Sequence, residues 1–129
     1  MRMRGGITGY FRYIVGILAL SPVIKSQDVH TEKRTPTEGY LRGDVLFKDD
    51  SHLHFRELVS TEPGIQRISY TYHYQKADGR MIFRYDDTDH FPYLSSTPHH
   101  KHTGENDVIA TNAPDLQAVL NEIEQIIRA

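Results

Sequence analysis

The sequence predicts an α+β fold, an antiparallel sheet of about five or six strands with a helix from each end of the chain packed on it. Three observations carry this. Leu116, Val119, Leu120, Ile123, Ile126 and Ile127 form an apolar stripe at helical spacing near the end of the chain. Ile7, Tyr10, Phe11, Ile14, Ile17 and Leu18 fall on one arc of a helical wheel near its start, with Thr8, Gly9, Arg12 and Gly16 opposite. Between the two stripes the apolar period becomes two, interrupted by short polar turns. At 129 residues the chain is one domain spanning residues 1–129, with room for a single core.

The first element, within residues 1–22, also imitates a secretory signal: Met1-Arg2-Met3-Arg4 precedes the apolar run Tyr13 to Leu20, and Ala19-Leu20-Ser21 has the form of a cleavage site. Pro22 directly after that cut would hinder processing. The run is also well short of the ~20 residues that span a bilayer. A packing helix is the expectation.

Val23 to Arg34 reads as an edge-like strand, ended by the turn Thr35-Pro36-Thr37-Glu38-Gly39. Leu41 to Phe47 and Leu53 to Leu58 read as a hairpin around Lys48-Asp49-Asp50-Ser51, with Leu41, Val45 and Phe47 on one face. After the turn Glu62-Pro63-Gly64 comes a strand from Ile65 to Gln75. The next turn is Asp78-Gly79. A two-residue loop there pairs Tyr74 with Phe83, His73 with Arg84 and Tyr72 with Tyr85. It sorts Ile68, Tyr70, Tyr72, Tyr74, Met81, Phe83 and Tyr85 onto one face, and Arg67, Ser69, Thr71, His73, Ile82, Arg84 and Asp86 onto the other. Thr88 to Thr97 reads as a loop, His99 to Thr103 as a short strand, and the closing helix as capped by Asn112 with Asp115 three residues on.

With 15 basic against 17 acidic residues, the chain is not built to coat nucleic acid by bulk charge, so any such contact is focal. The absence of cysteine excludes a disulfide framework and thiolate chemistry, and it fits a cytoplasmic setting. Five of the eight histidines and five of the eight tyrosines lie between Tyr70 and His102. Crowding imidazoles and cations is costly for a merely structural surface, which marks a site.

The candidate catalytic residues are His73, Arg84, His99, His100, Lys101 and His102. Imidazoles titrating near neutrality, with fixed cations beside them, suit metal-independent RNA cleavage: one imidazole takes the 2′-hydroxyl proton, another protonates the leaving 5′-oxygen, and Arg or Lys neutralises the phosphorane. Asp86 would orient a histidine, and Tyr72 and Tyr85 would contact bases. No cofactor and no metal ligand set is assigned. The alternatives are a metal-dependent nuclease, with His100 and His102 joined by Asp86, Asp89 or His90, and a module that acts by binding a target protein. His52 and His54 are expected on a solvated face and silent when substituted.

These residues also resemble a known family. Leu41-Arg42-Gly43, Tyr72-His73-Tyr74-Gln75 before an Asp-Gly turn, Ile82-Phe83-Arg84-Tyr85-Asp86, Pro98-His99-His100-Lys101-His102 and a helix after Pro114-Asp115-Leu116 are similar to the TumE family, the toxin half of a small bacterial and archaeal toxin–antitoxin module. The resemblance covers about Tyr40 to Arg128. Asp49-Asp50-Ser51 and Asp87-Thr88-Asp89-His90 depart from the family pattern, and Met1 to Gly6 look like an extension. What the resemblance implies is a cytosolic toxin held inactive by a DNA-binding antitoxin encoded beside it. RNA as substrate comes from the residue chemistry, and no membrane partner is expected.

Overall fold

The computed structural model describes residues 5–88, 94–104 and 107–129. Helix α1 (Gly6–Leu20) precedes strands β1 (Ile24–Lys33), β2 (Glu38–Phe47), β3 (His52–Ser60), β4 (Gln66–Gln75), β5 (Met81–Asp86), β6 (His100–Thr103) and β7 (Asp107–Ala110), and helix α2 (Leu116–Arg128) closes the chain. The strands lie in sequence order in one sheet, each antiparallel to the next. The α+β expectation holds, with seven strands instead of the expected five or six. The additional strand, β7, is a four-residue edge with one half-buried residue and no alternation to betray it.

One face of the sheet carries both helices. Ile7, Tyr10, Ile14, Ile17 and Leu18 of α1 and Leu116, Val119, Leu120 and Ile123 of α2 share a core with Leu41, Val45, Phe47, Leu53, Phe55, Tyr72, Tyr74 and Phe83. Each such side chain, taken from water, stabilises the fold by roughly 1.5–3 kcal/mol. Gly43 sits in the core-facing row between Leu41 and Val45 because the Phe55 ring of the neighbouring strand occupies the place of a Cβ. Ile126, expected in the α2 stripe, is exposed. Among the described residues, no helix is long and apolar enough to cross a membrane.

α1 has no side-chain cap, and the Pro36 carbonyl in the β1–β2 turn instead accepts the Ile7 N–H at 3.1 Å. The cap of α2 is Asp115, not Asn112. Its carboxylate accepts the Ala118 N–H at 2.8 Å, while residues 111–115 approach without helical structure.

Two bulges set the registers that matter. Leu58 pairs with Ser69 but Val59 with Arg67, so Ile68 is the extra residue of β4. It is turned outward, and Arg67 enters the helix-facing side, the reverse of the alternation expected from sequence. At the next turn, Lys76 N–H bonds the Arg80 carbonyl and Gly79 has φ 90°, giving a three-residue loop of Ala77, Asp78 and Gly79. A bulge then compensates. Gln75 pairs with Met81, yet Tyr74 pairs with Phe83, His73 with Arg84 and Tyr72 with Tyr85. The expected strand pairs stand although the expected two-residue loop does not, and Ile82, the residue the bulge inserts, packs against the core.

Candidate functional site

On the face away from the helices, a polar row crosses the sheet. Asp44 of β2 is opposite His54 of β3, His54 is opposite His73 of β4, His73 is opposite Arg84 of β5, and Arg84 is opposite His102 of β6. Directly opposed residues stand with Cβ atoms about 5 Å apart. The row arises because each member sits at an outward position of a period-two strand whose inward neighbours are Val45, Phe55, Tyr72, Tyr74, Phe83 and Tyr85. Next to it runs Arg42, Arg56, Thr71, Asp86 and His100.

Each imidazole of the first row has a distinct setting. His54 Nδ1 lies 2.9 Å from Asp44 Oδ1, and His52 Nε2 lies 3.4 Å from the same oxygen. The carboxylate thus fixes His54 with Nδ1–H donating. His73 Nε2 lies 3.2 Å from the Gln75 side-chain oxygen, so Nε2–H donates there and the lone pair sits on Nδ1. Burial lowers the His73 pKa, and the neighbouring Arg84 guanidinium, then His54 and His52, push the same way against the Gln75 hydrogen bond. The ring is therefore held neutral at pH 7. His102 is also shifted down, by burial and by the adjacent His100.

Asp86 and His100 form the buried corner of the face. His100 Nε2 is 2.7 Å from Asp86 Oδ1, and His100 Nδ1–H donates to the Pro98 carbonyl at 3.1 Å. Burial alone would raise Asp86, but the Thr88 N–H and hydroxyl, His100 and Arg84 together hold it below its usual range. Arg84 Nε reaches the other carboxylate oxygen at 3.1 Å. Asp86, His100 and His102 are also the described group able to hold a metal ion, their ligand atoms all within 4.8 Å of one another. Asp89 and His90, weighed as ligands from sequence, lie outside the described residues.

The structure thus brings together His73, Arg84, Asp86, His100 and His102. It does not bring Lys101 or His99 to them. Lys101 points to the helix side, with Nζ 2.7 Å from Glu122 of α2 and over the Tyr85 ring at 4.9 Å. Strand alternation requires this once His100 and His102 share the other face. His99 stacks on Tyr70 at 5.8 Å and bonds its hydroxyl at 2.9 Å. Tyr72 is fully buried and donates to Glu57 at 2.6 Å, while Tyr85 is nearly buried and donates to Glu122 at 2.6 Å. Their rings are packing groups, closed to a stacked base.

Sequence reasoning placed His54 on a solvated face but did not set it, or Asp44, in line with His73. Both lie in strands expected from the sequence, and the missing step was to carry the register back from β4 to β3, past a turn and the Ile68 bulge. It also missed an open cleft of about 240 Å³ beside the second row, lined by Arg34, Tyr40, Arg56, Leu58, Ser69 and Thr71.

No curated protein and no solved structure matches the chain significantly. The family model described as Toxin TumE matches residues 14–127, from within α1 to the last turn of α2, and so reaches further towards the N-terminus than the motifs alone do. With most of its length matched in this way, the chain belongs to the TumE toxin family.

Proposed function

We propose that this chain is the toxin of a toxin–antitoxin pair and that it acts as an endoribonuclease on the polar face of its sheet, in the cytoplasm. Membership of a toxin family implies a cognate antitoxin, and we take that antitoxin to be the DNA-binding product of the neighbouring gene. The observation that carries the nuclease reading is the unbroken row Asp44–His54–His73–Arg84, in which two imidazoles in unlike settings stand side by side with a fixed cation next to them.

His73, held neutral, takes the proton of the 2′-hydroxyl, and the 2′-oxygen attacks the phosphorus. Arg84 balances the charge that gathers on the phosphorane oxygens. His54, oriented by Asp44, gives a proton to the departing 5′-oxygen. A 2′,3′-cyclic phosphate and a 5′-hydroxyl result, with no metal ion required to generate the nucleophile. The cleft at Tyr40 and Arg34, where the guanidinium lies 6.0 Å from the phenol ring centre, offers a base the flat contacts that Tyr72 and Tyr85 cannot.

The test is expression of the chain alone and together with its neighbour, followed by RNA integrity in the arrested cells. Growth arrest with fragmented RNA, reversed by the neighbouring gene, supports the reading. Arrest with intact RNA would favour a toxin that binds a protein target, and normal growth at verified folded expression would contradict both.

A further inference from the structure

Asp86, His100 and His102 bring one carboxylate and two imidazoles to a single spot. Backbone geometry puts them there. His100 and His102 are two apart on β6 and share a face, their ring centres 5.0 Å apart, and Asp86 is the cross-strand partner of His100. Outer partners already orient Asp86 and His100. The Pro98 carbonyl accepts from His100 Nδ1 and so turns Nε2 towards Asp86, and the Thr88 N–H and hydroxyl hold Asp86 Oδ1 at 3.1 and 3.0 Å. Metal sites use such outer contacts to fix their ligands.

We infer that this trio binds one transition-metal ion of the zinc class. Two imidazoles and one carboxylate suit zinc and its first-row neighbours, whereas magnesium and calcium ask for all-oxygen shells. Ligand atoms at ~2.0–2.1 Å around a tetrahedral zinc stand about 3.3 Å apart. His100 Nε2 and Asp86 Oδ1, now 2.7 Å apart, need to part by only about half an ångström. Asp86 and His100 are 3% and 1% exposed, so the ion enters from the side of half-buried His102, where its fourth position faces outward.

A bound ion would tie the four-residue β6 to β5 and take His100 and His102 out of proton transfer, leaving His54 and His73 as the acid–base pair. This goes beyond the cleavage reading, because the ion is held whether or not the face cleaves RNA.

The experiment titrates the tag-free, chelator-treated full chain with zinc chloride near pH 7, by calorimetry and thermal melting. One ion per chain and a thermal midpoint raised by several degrees are expected, with magnesium chloride inert. His102→Ala, at a half-buried position that tolerates truncation, and Asp86→Asn abolish binding. Thr88→Val weakens it about 10–100-fold, and Thr88→Ser keeps it. His30→Ala, on the opposite edge strand, leaves it unchanged. Absence of saturable binding, full binding by the folded His102→Ala chain, or binding that depends on His54 instead would overturn the assignment. Persistence of RNA cleavage in the chelator-treated chain leaves this result unaffected, so the two readings fail separately.

Discussion

His54 on β3 and His73 on β4 are direct cross-strand partners, one held by Asp44 and the other flanked by Arg84. The pair lies within the β3–β4 hairpin, on the far side of the Ile68 bulge from the turn. It exists because the bulged β4 keeps its outward row in step with β3, and it gives one face two imidazoles whose surroundings differ in charge.

The first consequence concerns activity. His54→Ala, His73→Ala and Arg84→Ala should each reduce RNA cleavage by about 10²–10⁴-fold while leaving the fold intact, since all three positions are partly exposed. The double variant of His54 and His73 should lose little more than either single one, as expected of two groups that act as a unit. Cleavage rates on folded variants, verified by circular dichroism, decide this. A silent His54→Ala, the outcome expected from the sequence alone, would dissolve the pair.

His73 also predicts a pH dependence of stability. Its folded pKa is held below the usual 6.5, by burial and then by Arg84, His54 and His52, against the hydrogen bond it donates to Gln75. The unfolded chain therefore takes up the proton first as pH falls. Stability contributed by this residue is full above 6.5 and is lost between 6.5 and the lower folded value. His73→Gln should flatten that part of the stability curve, and in Arg84→Gln the His73 ring should titrate closer to 6.5 by NMR. An unchanged titration would remove Arg84 as a cause.

Lys101 gives the opposite expectation. Its ammonium joins Glu122 of α2 across the Tyr85 ring on the core side, away from the face that carries His54 and His73. Lys101→Met should keep cleavage within about twofold and cost about 1 kcal/mol of stability. Parallel denaturation and cleavage measurements separate this from a catalytic lysine, whose loss would act on the rate.

Glu57 is the corresponding test of the core. Its carboxylate, 1% exposed, accepts the Tyr10 and Tyr72 hydroxyls, and Tyr72 in turn accepts from Arg67 at 3.0 Å. Glu57→Ala leaves these groups buried with their acceptor gone, at a cost of about 3–5 kcal/mol, and should lower the thermal midpoint by about 10–20 °C. Glu57→Gln should fall between. A midpoint unchanged in Glu57→Ala would mean that this network contributes little to the fold.

The fold and half of this site were legible in the sequence for definite reasons. Alternation along β2 to β5 and the two apolar stripes are local patterns, and they sufficed for the α+β arrangement and for facing His73 with Arg84. The same alternation should have removed Lys101 from the side of His100 and His102, but the clustered composition of that run outweighed its period. Tyr72 and Tyr85 were drawn in likewise, although their places in the core row of the sheet called for burial. Asp44 and His54 were hidden for another reason. Their relation to His73 depends on inter-strand register, and a single bulged residue at Ile68, which no local pattern announces, decides which residue of β4 stands opposite His54.

The chemical ends of RNA cut by the purified chain in excess EDTA, with His73→Ala as the control, distinguish imidazole catalysis on this face from metal-dependent hydrolysis. Cleavage should persist in chelator, leave 2′,3′-cyclic phosphate and 5′-hydroxyl ends, and fall by at least about 10²-fold in His73→Ala. Products with 5′-phosphate ends, cleavage that stops in EDTA and returns with added metal, or equal cleavage by His73→Ala would contradict imidazole catalysis on this face.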